Sequence, residues 1–387
     1  MPVRAPHLHE VVRAFCLAAF AELGPHAAAA DVPFVVEEHD SGLLEYRPLV
    51  RDVVEAHAHR LADLPDARIA LEELRRDPAA AIFAGGQEPG PAGDRALFQA
   101  ILLPVLVRTA EACAGFDWED GAFGRVYAEL ERTLYGSTRA YSATAPLIGL
   151  TVGAAVRVGP GLVARPAAEP LTYELVLERD LAGDGQEPPD APAELAAVVS
   201  ALRIATGAPV AAGPAVAERL DSHPLGTRPL PWTAATLPEG EPGRLDPWRA
   251  ALGGDLLERL AREREELAEA VECWEQALFE DEPLRSERLR EALSALLGGA
   301  DGLWAAAMRA AVLVGEGSRE RSALVDRLLG LARGRHGGVQ AADDVRRAIL
   351  ETLLHEDRAR LVTALDEALL GLRPRPAGYF AARAASR

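Results

Sequence analysis

The residues best suited to chemistry fall in one glycine-rich turn, Arg333-Gly-Arg335-His336-Gly337-Gly338. A histidine titrates near neutral pH and can give or take a proton, while an arginine stays charged and grips phosphate oxygens. Arg333, Arg335 and His336 are therefore the candidate catalytic residues, and the chemistry they suit is acid–base work on a phosphate ester. Arg346 and Arg347, one helix segment further on, are candidate phosphate-binding residues, although Asp343 and Asp344 beside them oppose their charge. Cations in the last turn of a helix also complement its macrodipole, worth ~0.3–1 kcal/mol each.

Other constellations carry less. The pairs His7/His9 and His57/His59 look like metal ligands, but residues two apart on a helix point to different faces. Glu37, Glu38, His39 and Asp40 group carboxylates with an imidazole, yet nothing in the sequence fixes a further ligand. No metal and no cofactor is expected. Gly-x-Ser-x-Gly is absent, and Gly85-Gly86 and Gly159–Gly161 lack a dinucleotide-binding fingerprint.

Composition narrows the classes further. The 387 residues include no lysine and no asparagine, the bias a GC-rich genome produces. That excludes a P-loop lysine, a Schiff-base lysine and N-glycosylation. A net charge of −18 disfavours non-specific binding to nucleic acid over the whole surface, while leaving a local arginine patch as a route to RNA. Cys16, Cys113 and Cys273 are unpaired in spacing and suit a reducing compartment, so a cytoplasmic location is expected. No run of eighteen uncharged apolar residues occurs, and no membrane association is expected. Val11–Leu23 places Val12, Phe15, Ala19 and Leu23 on one stripe and predicts a core helix, not a signal peptide.

Three regions must position these residues. Residues 1–145 read as mainly helical, with a strand-like insertion at Val32–Glu38 and a kink or restart at Pro104. Residues 146–243 read as β-rich and packed with the first region. Gly159-Pro160-Gly161 marks a hairpin, Thr172–Glu178 alternates strictly, Ala193–Ala205 is helical, and Leu237–Arg244 is an exposed connection. Residues 244–387 read as a bundle of amphipathic helices punctuated by glycines, with Leu303–Val314 apolar nearly all round and so central. Trp248, Trp274 and Trp304 lie on apolar stripes and are expected in the core. The fold class is thus α+β and predominantly helical, a small antiparallel sheet preceding a C-terminal bundle expected to fold independently.

The stretch from about Ala250 to Leu372 resembles the Apea-like branch of the HEPN superfamily. Glu269–Leu278 (EAVECWEQAL) is similar to that family's opening helix and Leu289–Leu297 to the next. Leu303–Gly315 (LWAAAMRAAVLVG) resembles its buried Arg-Ala-Ala-x-Leu-x-Gly helix. The resemblance implies a helical bundle, a homodimer and, in many members, metal-independent cleavage of RNA by an arginine and a histidine separated by four to six intervening residues. Here His336 is present, but the corresponding positions are Leu329, Gly330 and Leu331. The resemblance therefore implies a non-catalytic dimerising or sensing protein of an intracellular bacterial defence or stress system. The alternative is an endoribonuclease with a rearranged Arg–His site around His336, and whether the chain is an enzyme stays open at this level.

Overall fold

The computed structural model describes residues 3–29, 34–38, 44–84, 90–182, 187–262, 264–355 and 357–378. The elements run α1 (Pro6–Ala29), β1 (Phe34–Glu38), β2 (Leu44–Pro48), α2 (Val50–Ala56), α3 (Ala58–Ala62), α4 (Pro65–Arg76), α5 (Pro91–Leu97), α6 (Leu103–Ala112) and α7 (Asp120–Tyr135). Then come β3 (Thr138–Leu147), β4 (Leu150–Val152), β5 (Val156–Gly159), β6 (Leu162–Pro166), β7 (Tyr173–Ala182), α8 (Ala191–Thr206), β8 (Ala215–Leu220), β9 (His223–Pro229), α9 (Trp232–Ala235) and β10 (Gly243–Leu245). The chain ends in α10 (Pro247–Arg262), α11 (Arg264–Ala277), α12 (Leu284–Leu297), α13 (Gly302–Val314), α14 (Ser318–Ala332), α15 (Gly338–Leu354) and α16 (Arg358–Leu369).

The fold is α+β and predominantly helical, with a six-stranded antiparallel sheet in the order β5-β6-β7-β3-β8-β9. The β5–β6 hairpin turns at Gly161, whose φ of 62° only glycine adopts without strain. β3 carries the alternation of a half-buried strand, with Tyr141, Ala143, Ala145 and Leu147 inward. Leu237–Arg244 is exposed along most of its length, as expected of a connection, and its last residues enter β10, which pairs parallel with β4.

Two compact units partition the chain. The first comprises residues 1–143, 178–189 and 217–228. In it α1 packs on α4, and α6 packs on both α2 and α7. Val12, Phe15, Ala19 and Leu23 are fully buried, as the stripe on α1 predicts. Phe15 meets Phe98, and Phe20 meets Trp118, both edge to face. Pro104 acts as expected: a π turn at Phe98–Leu102 precedes the restart of the helix as α6.

The second unit comprises residues 144–177, 190–216 and 229–387, so the boundary expected at residue 244 falls inside it. Its core is the bundle, in which α12 packs on α11, α13 and α15, and α13 also meets α14 and α16. Helix α8 contributes Ala201, Ile204 and Ala205 to this same core and lies against α10. Gly254 lets α10 pass so close to β5 that a Cβ there would collide with the Val158 carbonyl oxygen.

Arg309 is the charged residue of the otherwise apolar α13, and it is buried. Its guanidinium donates to both oxygens of Asp366 at 2.7 and 2.8 Å, to Asp301, and to the Leu297 carbonyl at 2.8 Å. It thereby closes the C-terminus of α12 and fastens α16. The tryptophans correct one expectation: Trp274 is buried and donates to the Ala342 carbonyl, but Trp248 and Trp304 are exposed. Both sit near helix starts, where an apolar stripe runs out past its neighbours.

Candidate functional site

The loop between α14 and α15 carries Arg333, Arg335 and His336, all three exposed. Gly334 and Gly338 take φ of 83° and 58°, so the tight reversal requires glycine at both. The loop is tied down from the start of α12. The Gly337 amide donates to Ser286 Oγ at 3.0 Å, the Gly338 amide donates to Glu282 Oε1 at 3.1 Å, and Ser286 Oγ donates to Glu282 Oε2 at 2.6 Å. His336 Nδ1 stands 3.9 Å from Glu282 Oε2. Partial burial would raise the Glu282 carboxyl. The Ser286 and Gly338 hydrogen bonds and the nearby imidazole outweigh it and hold the group below the usual range.

The two loop arginines point to different places. Arg333 stacks on the exposed Trp304 ring, with its guanidinium carbon 5.2 Å from the ring centre. Arg335 folds back over Gly330, so a Cβ built on that glycine would lie 3.2 Å from the guanidinium. Leu329, Gly330 and Leu331 themselves face the bundle core.

Arg346 and Arg347 do not join this cluster. They lie eight and nine residues into α15, ~12–14 Å along its axis from Gly338 at 1.5 Å per residue. Arg346 donates to Asp343 Oδ1 at 2.9 and 2.7 Å and to the Ile204 carbonyl at 2.9 Å, which closes the C-terminus of α8. Arg347 donates to Glu320 Oε1 at 3.0 Å, and Arg327 forms a bidentate pair with the fully buried Asp344. These cations are occupied by structural partners.

The remaining motifs separate as their spacing implies. His7 turns toward Glu73 at 3.6 Å, whereas His9 packs edge-on against Tyr127. His57 makes a 2.8 Å contact through Nδ1 with the Val53 carbonyl, and His59 is exposed. His39 and Asp40 lie outside the described residues, as does Val32 of the expected strand. Among the described residues no group of three histidine, cysteine or carboxylate side chains is placed to hold a metal ion. Burial pushes the thiols of Cys16 and Cys113 up and that of Cys273 up to about 11, so none is a ready nucleophile at neutral pH.

Sequence reasoning missed a second site. Arg203, Trp232, Glu275, Phe279, Glu280 and Arg288 line a cleft of about 260 Å³ in the second unit. Arg203 is buried, and each of its three guanidinium nitrogens has a hydrogen-bond partner. It donates to the Val210 carbonyl at 2.7 Å, to the Thr233 carbonyl at 2.6 Å and to Glu275 Oε2 at 3.2 Å, with its guanidinium 4.8 Å from the centre of the Phe279 ring. Burial pushes the Glu275 carboxyl up, and the charge of Arg203 and the Ser200 hydroxyl only partly offset it. The signal was present in part, because Arg203 is the charge that interrupts the apolar run Leu195–Ala205. Its partner stands 72 residues away, beyond any local pattern.

No protein-family model matches the chain, nor does any curated protein or solved structure. Among the described residues no helix is long and apolar enough to cross a membrane.

Proposed function

We propose that the chain is a non-catalytic HEPN-type protein that dimerises and senses a state of the cell, within an intracellular bacterial defence or stress system. The observation that supports it is the fate of the arginine positions. Leu329 and Leu331 belong to the bundle core and Gly330 is backbone covered by Arg335, so no cation projects from α14 toward His336 at the required spacing. A histidine without a positioned cation lacks the group that stabilises charge on a phosphate in flight. The loop's own hydrogen bonds, from Ser286 and Glu282, give it a rigid form suited to recognition.

The dimerising part of this reading rests on exposed apolar side chains around the same loop. Trp304 carries Arg333, Leu284 adjoins Ser286, and Val339 follows Gly338; these three are 52%, 53% and 76% exposed. Apolar side chains gathered beside a fixed loop are what a two-fold helical contact covers. Light scattering at tens of micromolar, about the range in which a specific dimer persists, is expected to give twice the chain mass. Trp304→Glu is expected to return it to the monomer. A wild-type monomer at that concentration would remove this part of the proposal.

One observation favours a second reading. Arg335 places its guanidinium over Gly330, the space from which a motif arginine would start. A metal-independent endoribonuclease using Arg335 and His336 is the function that follows if the two groups act on one phosphate. Digestion of total RNA by the purified chain separates the readings.

A further inference from the structure

The C-terminal end of α13 lies outside the α14–α15 loop and plays no part in the proposal above. The helix stops at Val314, and a Cβ on Gly315, which caps it, would collide with the Arg321 side chain and crowd the Ala311 carbonyl oxygen. A bare glycine there leaves the last carbonyls open, at the negative pole of the helix. Three arginines converge on them. Arg347 reaches the Val314 carbonyl and Arg321 the Gly315 carbonyl, each at 3.5 Å, the outer limit of a hydrogen bond. Arg375 makes the short bond, donating to the Gly315 carbonyl at 2.8 Å with a longer contact to the Leu313 carbonyl at 3.5 Å. It belongs to no helix or strand and comes from the tail beyond α16.

The tail is shaped for this contact before it docks. Arg375 lies between Pro374 and Pro376. Proline fixes its own φ and drives the preceding residue into extended backbone, so Arg373-Pro374-Arg375-Pro376 is extended at little cost in entropy. Further on, Gly378 is buried, and a Cβ there would rest 3.4 Å from Glu351 Oε1 of α15. Glu316 and Glu351 line the cleft beneath the strand and add negative charge beside the carbonyls. Arg347, also in the lining, is paired with Glu320 at 3.0 Å. A space of about 100 Å³ stays open between the strand and Leu313, Val314 and Leu350. A water molecule takes ~30 Å³ and protein interiors leave few larger voids, so the strand bridges the cleft and is not packed into it as core.

We propose that the cleft between the end of α13 and α15 is a recognition site for an arginine on an extended, proline-flanked strand, with the chain's own tail as its resident ligand. One short hydrogen bond and a preformed strand make a weak contact between separate molecules. Tethering just beyond α16 supplies an effective concentration on the order of millimolar and keeps the site filled. The same strand supplied free competes with the tail, and gains the site when the tail loses its arginine.

The test uses the full-length chain, with a free peptide of residues 371–378 as the probe and ligand-observed NMR as the readout. Arg375→Ala in the protein, with an unchanged circular dichroism spectrum, is expected to bind the peptide roughly fivefold more tightly than the wild type, whose tail competes. A peptide carrying Arg375→Ala is expected to bind neither protein. Glu316→Arg, added to the Arg375→Ala protein, sets a like charge beside the carbonyls and is expected to weaken the peptide about tenfold. The proposal is overturned by equal affinity of the peptide for the wild type and Arg375→Ala, or by no saturable binding to Arg375→Ala up to about 10 mM. Undiminished binding of the arginine-free peptide, or full affinity in the protein that also carries Glu316→Arg, overturns it as well.

Discussion

His223 Nδ1 stands 3.2 Å from the carbonyl oxygen of Ala100, an oxygen that Pro104 cannot bond in the α-helical register because it has no N–H. A carbonyl only accepts, so Nδ1 carries the ring proton and Nε2 is bare. Nε2 is buried with no hydrogen-bond partner. Protonating it would put a charge where nothing receives it. Burial takes this imidazole down to about 4 against the opposing Ala100 hydrogen bond, with smaller effects of Arg108 downward and Asp221 upward.

Stability is therefore expected to fall on acidification between pH 6.5 and 4. The folded pKa is below the unfolded one, so the unfolded chain binds the extra proton in that window. The contribution of neutral His223 is complete above pH 6.5 and is lost as pH falls, by about 3 kcal/mol at pH 4. His355, also held low by burial, gives a slope of the same sign. Urea midpoints from pH 7 to 4.5, compared with His223→Gln, isolate the His223 share. A variant whose midpoint falls as steeply as the wild type would refute the assignment.

Arg309 makes a different demand. Removing it leaves the Leu297 carbonyl without its donor, opens space inside the bundle and frees α16. Arg309→Ala is expected to cost about 2–4 kcal/mol, less than a fully buried pair because Asp301 and Asp366 are partly solvated. Arg309→Lys keeps the charge without the planar fork and is expected to recover only part of the loss. Equilibrium urea unfolding measures both, and an Arg309→Ala midpoint equal to the wild type would contradict the clamp.

Much of this fold was legible, for a physical reason that also explains the misses. Leucines at helical spacing with glycines between them announce α12 to α16, and an alternation interrupted at the buried Val176 announces β7. β3 was missed although it is a central strand, because Ala140, Ser142, Ala143, Thr144 and Ala145 are small and blur the contrast between its faces. Trp248 and Trp304 were misread because a stripe identifies a face, not whether a neighbour reaches its end. The turn around His336 stood out by its residue types, but the Glu282 and Ser286 contacts that fix it come from more than fifty residues away.

The boundary at residue 244 leads to a third expectation. A fragment of residues 244–387 lacks α8, and with it Ala201, Ile204 and Ala205 of the bundle core, Arg203 for Glu275, and the Ile204 carbonyl that Arg346 closes. Glu275 is then left facing apolar surroundings without its cation, a costly state. The fragment is expected to be helical but to bind a hydrophobic dye and unfold broadly, whereas residues 190–387 unfold cooperatively. Equal midpoints for the two fragments would show that α8 is dispensable.

The last expectation concerns RNA. Proton transfer by a histidine is typically worth ~10²–10⁴-fold in rate, but phosphoryl chemistry also needs a cation held against the developing charge. Here Arg333 is spent on Trp304, Arg346 and Arg347 on Asp343 and Glu320, and Leu329 and Leu331 on the core. Arg335 is the cation best placed to act, and it is laid against Gly330. His336 Nδ1 stands 3.9 Å from Glu282 Oε2, a carboxylate and not a cation. Purified chain incubated with total RNA and a chelator is therefore expected to leave the RNA intact, with His336→Ala and Arg335→Ala behaving the same way. Cleavage that survives the chelator and disappears in both variants would overturn the non-catalytic reading and establish Arg335 and His336 as the active pair. Cleavage that persists in both variants would point to a contaminating nuclease, to be removed by repurification before the RNA is scored again.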